Sequence, residues 1–397
     1  MKFFHTADWH LGKLVQGVYM TEDQACILAQ FTEAVEKEQP DAVIIAGDLY
    51  DRAVPPVEAV HLLDQTLAKI VLDLKIPVLA IAGNHDSPSR LHFGSNIMKN
   101  NGLHIIGQLE KDPQPIKLSD TYGDVHFHLI PYCDPSVVRH VYNDETIRNH
   151  NDAMKAITTN IVENLDHTAR HVFVGHAFVT PFGEAEENTS DSERPLSIGG
   201  AEHVDAHLFQ NFHYTALGHL HQAHQALQEN IRYSGSLLKY SISEEFHKKG
   251  YYIVEMDGEG HTEIEKRLLS PRRDIRTVEA TIDELLTHPV NEDYVVVKLL
   301  DETPVLSPME KIRAVYPNAL HVERKNYFFT PAGVEEGEQK KRTQMNDLDL
   351  FKAFYKEVKG QAATSETEAI FSEVLEEMNQ ADSETSIPSK EKVSVNH

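Results

Sequence analysis

Five short polar clusters in the first part of the chain carry the residue types that hold cations. The first is Asp8-Trp9-His10, where a two-residue spacing on extended backbone puts a carboxylate and an imidazole on one face. In the second, Gly47-Asp48 with Asp51 and Arg52 close behind, the glycine permits a tight turn and Asp48 has two oxygens with which to bridge two cations. The third, Gly83-Asn84-His85-Asp86, supplies an amide oxygen and a further imidazole. Gly175-His176 and Gly218-His219-Leu220-His221 add three more imidazoles. Imidazole is the commonest side-chain metal ligand, and a mixed imidazole and carboxylate set suits manganese, zinc or iron rather than calcium or magnesium alone. Cys26 and Cys133 are the only cysteines and lie far apart, so any metal must sit on nitrogen and oxygen donors.

Taken singly, each cluster has a blander reading. Asp and Gly are turn residues anyway, and with 24 histidines in the chain chance pairs are expected. His167, His171, His207 and His247 are read as surface or core residues with no role. Turns do not account for the ordered series D-x-H, G-D-x-x-D, G-N-H-D, G-H, G-H-x-H, most of it just after strand-like runs.

Those runs set the frame. From Met1 to about Gly250, strand-like and helix-like stretches alternate as in an α/β domain. KFFHTADW reads as a strand running into a loop. A helix is predicted from about Glu22 to Glu38, with Leu28, Phe31 and Val35 near helical spacing and Pro40 ending it. DAVIIAGD is a buried-type strand, a second helix spans about Pro56 to Leu74, and IPVLAIAG follows. The pattern repeats more loosely through VHFHLIPY, a helix over about Asn151 to Asp166, HVFVGHAF, HYTALGH and IRYSGS. Loops at the carboxyl ends of strands are where open α/β sheets place their chemistry. A strand pair turning at Asp257-Gly258 closes this region, and a small α+β unit with strands near Ile275 to Ala280, Tyr294 to Leu299 and His321 comes after it.

At 397 residues the chain exceeds what one core usually supports, so more than one domain is expected. No apolar run approaches the ~20 residues of a membrane span. The start lacks the long apolar stretch of a secretory signal, which points to the cytoplasm.

The order of the five clusters resembles the calcineurin-like metallophosphoesterase superfamily. A closer resemblance, to the SbcD family of nuclease subunits, is carried by HTADWHLGK at 5–13, GDLYDRAVPP at 47–56, AGNHDSPSRL at 82–91, ERPLSIGGAEHVDAHLF at 193–209, ALGHLHQ at 216–222 and IRYSGSLLKYSISEEFHKKG at 231–250. It implies an α/β fold, a β-sandwich flanked by helices, with a small α+β capping domain and a C-terminal helical segment. The corresponding division is a nuclease domain over 1–270, a capping domain over 271–333, a linker over 334–345, a helical partner-binding segment over 346–378 and a disordered tail over 379–397.

The same resemblance implies two divalent metal ions, Mn2+ with Mg2+ as the other option. Asp8, His10, Asp48 and His221 would hold one; Asp48, Asn84, His176 and His219 would hold the other. His85 would be catalytic rather than a ligand, acting at the scissile phosphate, and Asp86 would either orient His85 or stabilise its loop. Some relatives carry a second active-site histidine where this chain has Asp51, which puts leaving-group help from that loop in doubt. The implied substrates are double-stranded DNA ends and hairpins, cut in DNA repair and recombination by ATP-modulated 3′ to 5′ exonuclease and hairpin endonuclease action, the chain being a homodimer within a heterotetramer. No G-x-x-x-x-G-K-S/T motif is present, so the ATPase must be a partner, an SbcC-like coiled-coil protein. A formal net charge of −25 argues against gripping DNA by bulk electrostatics, although bound cations and a partner supply local positive potential. The rival enzymatic reading is a phosphatase or cyclic-nucleotide phosphodiesterase acting on a small substrate. A non-catalytic scaffold is a third, disfavoured by the intact ligand set.

Overall fold

The computed structural model describes residues 1–182, 190–193, 196, 202–324, 347–359 and 362–384. The linker expected at 334–345 lies outside them, as does 385–397. Two compact units are present, Met1–Lys325 and Asn326–His397.

The first unit begins with β1 (Lys2–Thr6), α1 (Thr21–Glu38), β2 (Ala42–Ile45), α2 (Val57–Ala68), β3 (Val78–Ile81) and β4 (Leu103–Ile106). Next come β5 (Ile116–Asp120), β6 (Gly123–Leu129), α3 (His150–Glu163), β7 (Arg170–His176), β8 (Tyr214–Gly218), β9 (His224–Gln225) and β10 (Ile231–Tyr233). The antiparallel pair β11 (Gly250–Met256) and β12 (Thr262–Leu268) follows.

These strands build two six-stranded sheets in the orders β12-β11-β1-β2-β3-β4 and β9-β10-β8-β7-β6-β5. In each, the four strands β1 to β4 or β6, β7, β8 and β10 run parallel; antiparallel pairing adds β11 and β12 at one edge of the first sheet and β9 and β5 at the two edges of the second. The sheets pack face to face. Phe3, Ile44, Leu79 and Val254 of the first meet Phe127, Val172, Val174 and Tyr214 of the second in one buried cluster, and Phe3 sets its edge against both Phe127 and Tyr214, ring centroids 5.8 and 5.5 Å apart. Outside the first sheet α1 lays Leu28, Phe31 and Val35 on the core, Phe31 packing against Phe4, Trp9 and Tyr251. Outside the second, Ile157 and Ile161 of α3 cover Phe173. The result is a four-layer α-β-β-α sandwich. Its parallel strands end at one edge, so the loops after β1, β2, β3, β7 and β8 meet there.

At the opposite end Arg170 ties the layers together. Its guanidinium donates to both oxygens of Asp120 (2.6 and 3.1 Å) and to the carbonyls of Gly123 and Asp257 (both 2.9 Å), while the amino group of Met1 lies 2.7 Å from Asp120.

A three-stranded parallel sheet of β13 (Ile275–Ala280), β14 (Tyr294–Leu299) and β15 (His321–Arg324), with α4 (Pro308–Arg313), has its own core around Leu285, Val297 and Ile312. It also joins the main core: Ile275 and Tyr294 sit in the cluster under α1, and Tyr294 donates to the buried carboxylate of Asp23 (2.7 Å). The second unit contributes α5 (Asp347–Lys359) and α6 (Ser365–Glu384), the latter running past the end expected at 378. These two helices meet through Phe351 stacked on Phe371, centroids 3.9 Å apart, and Lys352 paired with Glu368 at 2.9 Å.

Burial opposes ionisation of Asp120, yet Arg170 and the chain's amino group hold its carboxyl well below the usual range. A carboxyl depressed in the folded state stabilises fully above its unfolded pKa of ~3.9 and loses that contribution as pH falls through the folded value. Asp120→Asn should therefore cost roughly 1–3 kcal/mol at pH 7, with the gap to wild type narrowing below about pH 4. Urea unfolding across that range measures it, and a pH-independent gap would contradict the assignment.

Candidate metal centre

The loops that converge at the sandwich edge are held in uncommon backbone conformations. Asp8, His10, Asp48 and His219 all have positive φ, at 53°, 46°, 51° and 106°. Such a conformation costs a non-glycine residue ~1–2 kcal/mol, and it persists where the surroundings over-determine it. Here the strand pairing of β1 with β2 carries on beyond both strands: the backbone N–H of Asp8 donates to Gly47 (3.1 Å), that of His10 to Asp48 (2.9 Å) and that of Leu11 to Leu49 (2.9 Å). Gln24, on the first turns of α1, donates from Nε2 to the His10 carbonyl (2.7 Å) and accepts from the Gly12 N–H (3.0 Å). Tyr240 donates to the Trp9 carbonyl (2.5 Å). Two glycines are required by close approach: a Cβ on Gly47 would lie 2.3 Å from His176 Nδ1, and one on Gly83 would lie 2.1 Å from Asp48 Oδ1.

All seven residues expected to hold metal arrive at this edge. Asp8, His10, Asp48, His176, His219 and His221 are buried, and Asn84 and His85 are half-buried. Asp8, His10 and His221 group on one side, with His10 Nε2 and His221 Nε2 3.0 Å apart. On the other side His176 Nε2 lies 2.9 Å from Asn84 Oδ1, with the His219 ring 5.5 Å away between centroids. Asp48 stands between them. Its Oδ1 accepts the His85 backbone N–H (2.9 Å), and its Oδ2 lies 3.6 Å from His10 Nε2 and 3.4 Å from His176 Nε2.

Hydrogen bonds on the far side of the rings fix which nitrogens face inward. His176 Nδ1 donates to the Ala46 carbonyl (2.9 Å), and His221 Nδ1 donates to Glu244 Oε1 (3.0 Å); each ring thereby turns its Nε2 towards the cluster. Burial holds His10 and His219 well below the ordinary imidazole range, as the neutral, ligating form. Metal–nitrogen and metal–oxygen bonds of ~2.0–2.2 Å place donor atoms on one ion about 3 Å or slightly more from each other, which is the spacing found here. The donor set therefore fits divalent cations, with Asp48 Oδ2 in reach of both groups.

His85 is held differently. Its Nδ1 donates to the backbone carbonyl of Asp51 (2.8 Å), its ring stands edge-on to His10 at 4.7 Å, and Nε2 is left for the cleft. Asp51 thus serves His85 through its main chain, while its carboxylate lies 2.8 Å from Lys13. Asp86 does not touch the His85 ring: its carboxylate accepts the N–H groups of Leu49, Tyr50 and Gly83 (3.1, 2.9 and 2.9 Å) and staples the second and third loops together.

Several residues behind the ligands were not singled out from sequence. Glu244 is fully buried, accepts from His221 and Ser192, and pairs with buried Lys249 at 2.5 Å; against the penalty of burial, Lys249 and His221 hold its carboxyl well below the usual range. Lys249 donates in turn to the His221 carbonyl (2.9 Å) and Ser236 (2.8 Å), and Glu193 accepts the His221 N–H (2.6 Å). Apart from Ser192, all lie in the 193–209 and 231–250 segments, whose family-like wording was the available signal.

A carboxylate that fixes the tautomer of a ligating histidine typically contributes 10–100-fold to metal affinity. Glu244→Gln, which keeps the shape and removes the charge, should weaken Mn2+ binding by about that factor with far-UV circular dichroism unchanged. Calorimetric titration reads it, and wild-type affinity in a folded variant would remove Glu244 from the site.

Comparison with known proteins shows the family. A family model described as calcineurin-like phosphoesterase matches residues 1–223, and one described as type 5 capsule protein repressor C-terminal domain matches residues 271–359. A curated relative, the SbcD subunit of nuclease SbcCD from Staphylococcus epidermidis, is 38% identical over 324 residues, covering 81% of this chain and 84% of that one. Solved structures it is similar to include a protein of Thermus thermophilus (12% identity, TM-score 0.37, 67% of this chain and 98% of that one) and a dimetal phosphatase from Danio rerio (12% identity, TM-score 0.39, 68% and 96%). With a family model over more than half its length and that relative over four fifths, the chain belongs to the calcineurin-like phosphoesterase family and, within it, to the SbcD nuclease subunits.

Proposed function

We propose that this chain is the metal-dependent nuclease of a DNA-end processing complex, hydrolysing the phosphodiester backbone of double-stranded ends and hairpins. The observation that carries the reading is the position of Asp48 Oδ2 between two imidazole groups, with His85 beside it but outside both, in a chain 38% identical to the SbcD subunit of a nuclease SbcCD. Asp8, His10, Asp48 and His221 hold one divalent cation, and Asp48, Asn84, His176 and His219 hold the other. Mn2+ suits the imidazole-rich donors, and Mg2+ is the weaker match. When bound, such a pair of cations supplies Lewis-acid polarisation of the phosphodiester and lowers the pKa of attacking water.

The chain's own contribution is orientation and proton handling. The Asp51 carbonyl accepts the Nδ1 proton of His85 whether the ring is neutral or charged, so Nε2 is the atom whose proton changes. That arrangement suits His85 to stabilise charge on the phosphoryl group or to protonate the departing oxygen. The attacked group is backbone rather than base, so sequence preference should be weak.

ATP enters through a second protein. α5 and α6 leave Phe354, Ile370 and Val374 substantially exposed after packing on each other. Paired amphipathic helices with residual apolar surface suit docking on a partner's helical groove, and the partner proposed is an SbcC-type coiled-coil ATPase in a heterotetramer built on a homodimer of this chain.

Degradation of labelled duplex ends and hairpins with Mn2+, Mg2+ or chelator, with and without the co-purified ATPase, tests substrate, metal and partner together. Cleavage of model phosphomonoesters or cyclic nucleotides far faster than DNA would overturn the reading. His85→Ala should keep its bound metal and lose about 10²–10⁴-fold in turnover; metal loss in that variant would show His85 to be a ligand. Deleting 346–397 should abolish co-purification with the ATPase while sparing basal metal-dependent cleavage, and a truncated chain that still binds the partner would refute the docking assignment.

A further inference from the structure

Strand alternation along β6 sends Val125, Phe127 and Leu129 into the core between the sheets and therefore His126 and His128 to the outer face, towards α3. His171 of β7 lies opposite His126 in register. Elsewhere this face carries apolar residues such as Phe173 under Ile157 and Ile161, so three neighbouring histidines depart from its pattern. The rings of His126 and His128 each lie 5.3 Å from that of His171, centroid to centroid.

A hydrogen-bond relay sets the tautomers. His171 Nε2 donates to the Asp166 carbonyl (2.9 Å), which leaves its Nδ1 to accept from His128 Nε2 (3.0 Å). Consequently His128 Nδ1 bears a lone pair. That atom is buried and has no hydrogen-bond partner among the described residues, and the same is true of His126 Nε2. The two residues are 6% and 3% exposed, and both line a cavity of about 340 Å³ whose other polar walls include Lys117, Gln114, Asn160 and Asp112. His171, read from sequence as having no role, thus orients His128 from behind, as carbonyls and carboxylates orient ligating histidines in metal proteins.

We propose that His126 and His128 form a second cation site, separate from the metal centre at the sandwich edge, for a borderline divalent ion of the zinc class. His128 Nδ1 is an acceptor, which a cation satisfies and an anion does not. Imidazole donors favour zinc, nickel or copper over magnesium or calcium. Burial keeps both rings in the neutral form that ligates, His128 being pushed down to about 3. Two protein ligands facing a cavity leave positions for water or a carboxylate, so this is an open site rather than a closed structural one.

The test begins with a chain whose edge centre is disabled by Asp48→Ala and His176→Ala, dialysed against Zn2+. One zinc per chain should remain. Adding His128→Phe, an apolar replacement of the kind the rest of this face carries, or His126→Gln should weaken that binding at least tenfold, with circular dichroism unchanged. Absence of zinc in the disabled chain, or full retention in both added variants, overturns the proposal. Should the variants not fold, anomalous scattering at the zinc edge from crystals of the wild-type protein decides: an ion between His126 and His128 supports the site, and no ion there refutes it.

Discussion

The centre depends on where the two oxygens of Asp48 can be put. Oδ1 is fixed by the His85 N–H, and Oδ2 is thereby turned towards His10 on one side and His176 on the other. This placement requires a left-handed backbone at Asp48, a Gly83 with no Cβ to strike Oδ1, and a Gly47 with none to strike His176. Asp48 follows β2 of the first sheet, whereas His176 ends β7 and His219 and His221 follow β8 of the second. No single sheet carries the site. The aromatic contacts of Phe3 with Phe127 and Tyr214 hold the two sheets face to face and so set the separation across which Asp48 and His176 meet.

A buried group of histidines and carboxylates is electrostatically expensive unless each member has a defined protonation state and partner. The fold meets this with partners on the far side of the ligands: a carbonyl for His176, Glu244 for His221, the His219 N–H for Asp8. Lys249 balances Glu244, so a full ion pair is buried behind one histidine. Such a pair is a poor device for stability alone. Behind His221 it fixes ring orientation.

Much of this was legible in the residues. D-x-H, G-D, G-N-H-D and G-H-x-H come at strand ends and G-H closes a strand, because strand runs and turn chemistry are local properties; the shared face read for Asp8 and His10 from extended backbone gives way to left-handed conformations at both. α1 begins at Thr21 and α3 at His150, each one residue before the predicted start. What could not be read is what depends on distant pairing. Glu244 reaches His221 across 23 positions and Asp8 reaches His219 across 211, and no periodicity encodes either. Asp51 raised doubt as a replacement for histidine, yet it supports His85 through a carbonyl, an atom that every residue type possesses. His171 looked idle because its partners, His128 on a neighbouring strand and the main chain at Asp166, are visible only in the fold.

Four residues of the centre with positive φ and a ladder of backbone hydrogen bonds between their loops have a joint consequence. The positions of Asp8, His10 and Asp48 are set by main-chain bonds between the loops. Such bonding keeps the charged and polar groups of the cluster from relaxing towards one another. It also bears on the net charge of −25. A chain this acidic cannot draw a polyanion to its surface by bulk field, so attraction must be concentrated where cations are held. On the proposed reading, the donor cluster at one edge of the sandwich would provide that concentration, which gives the strain in its loops a use.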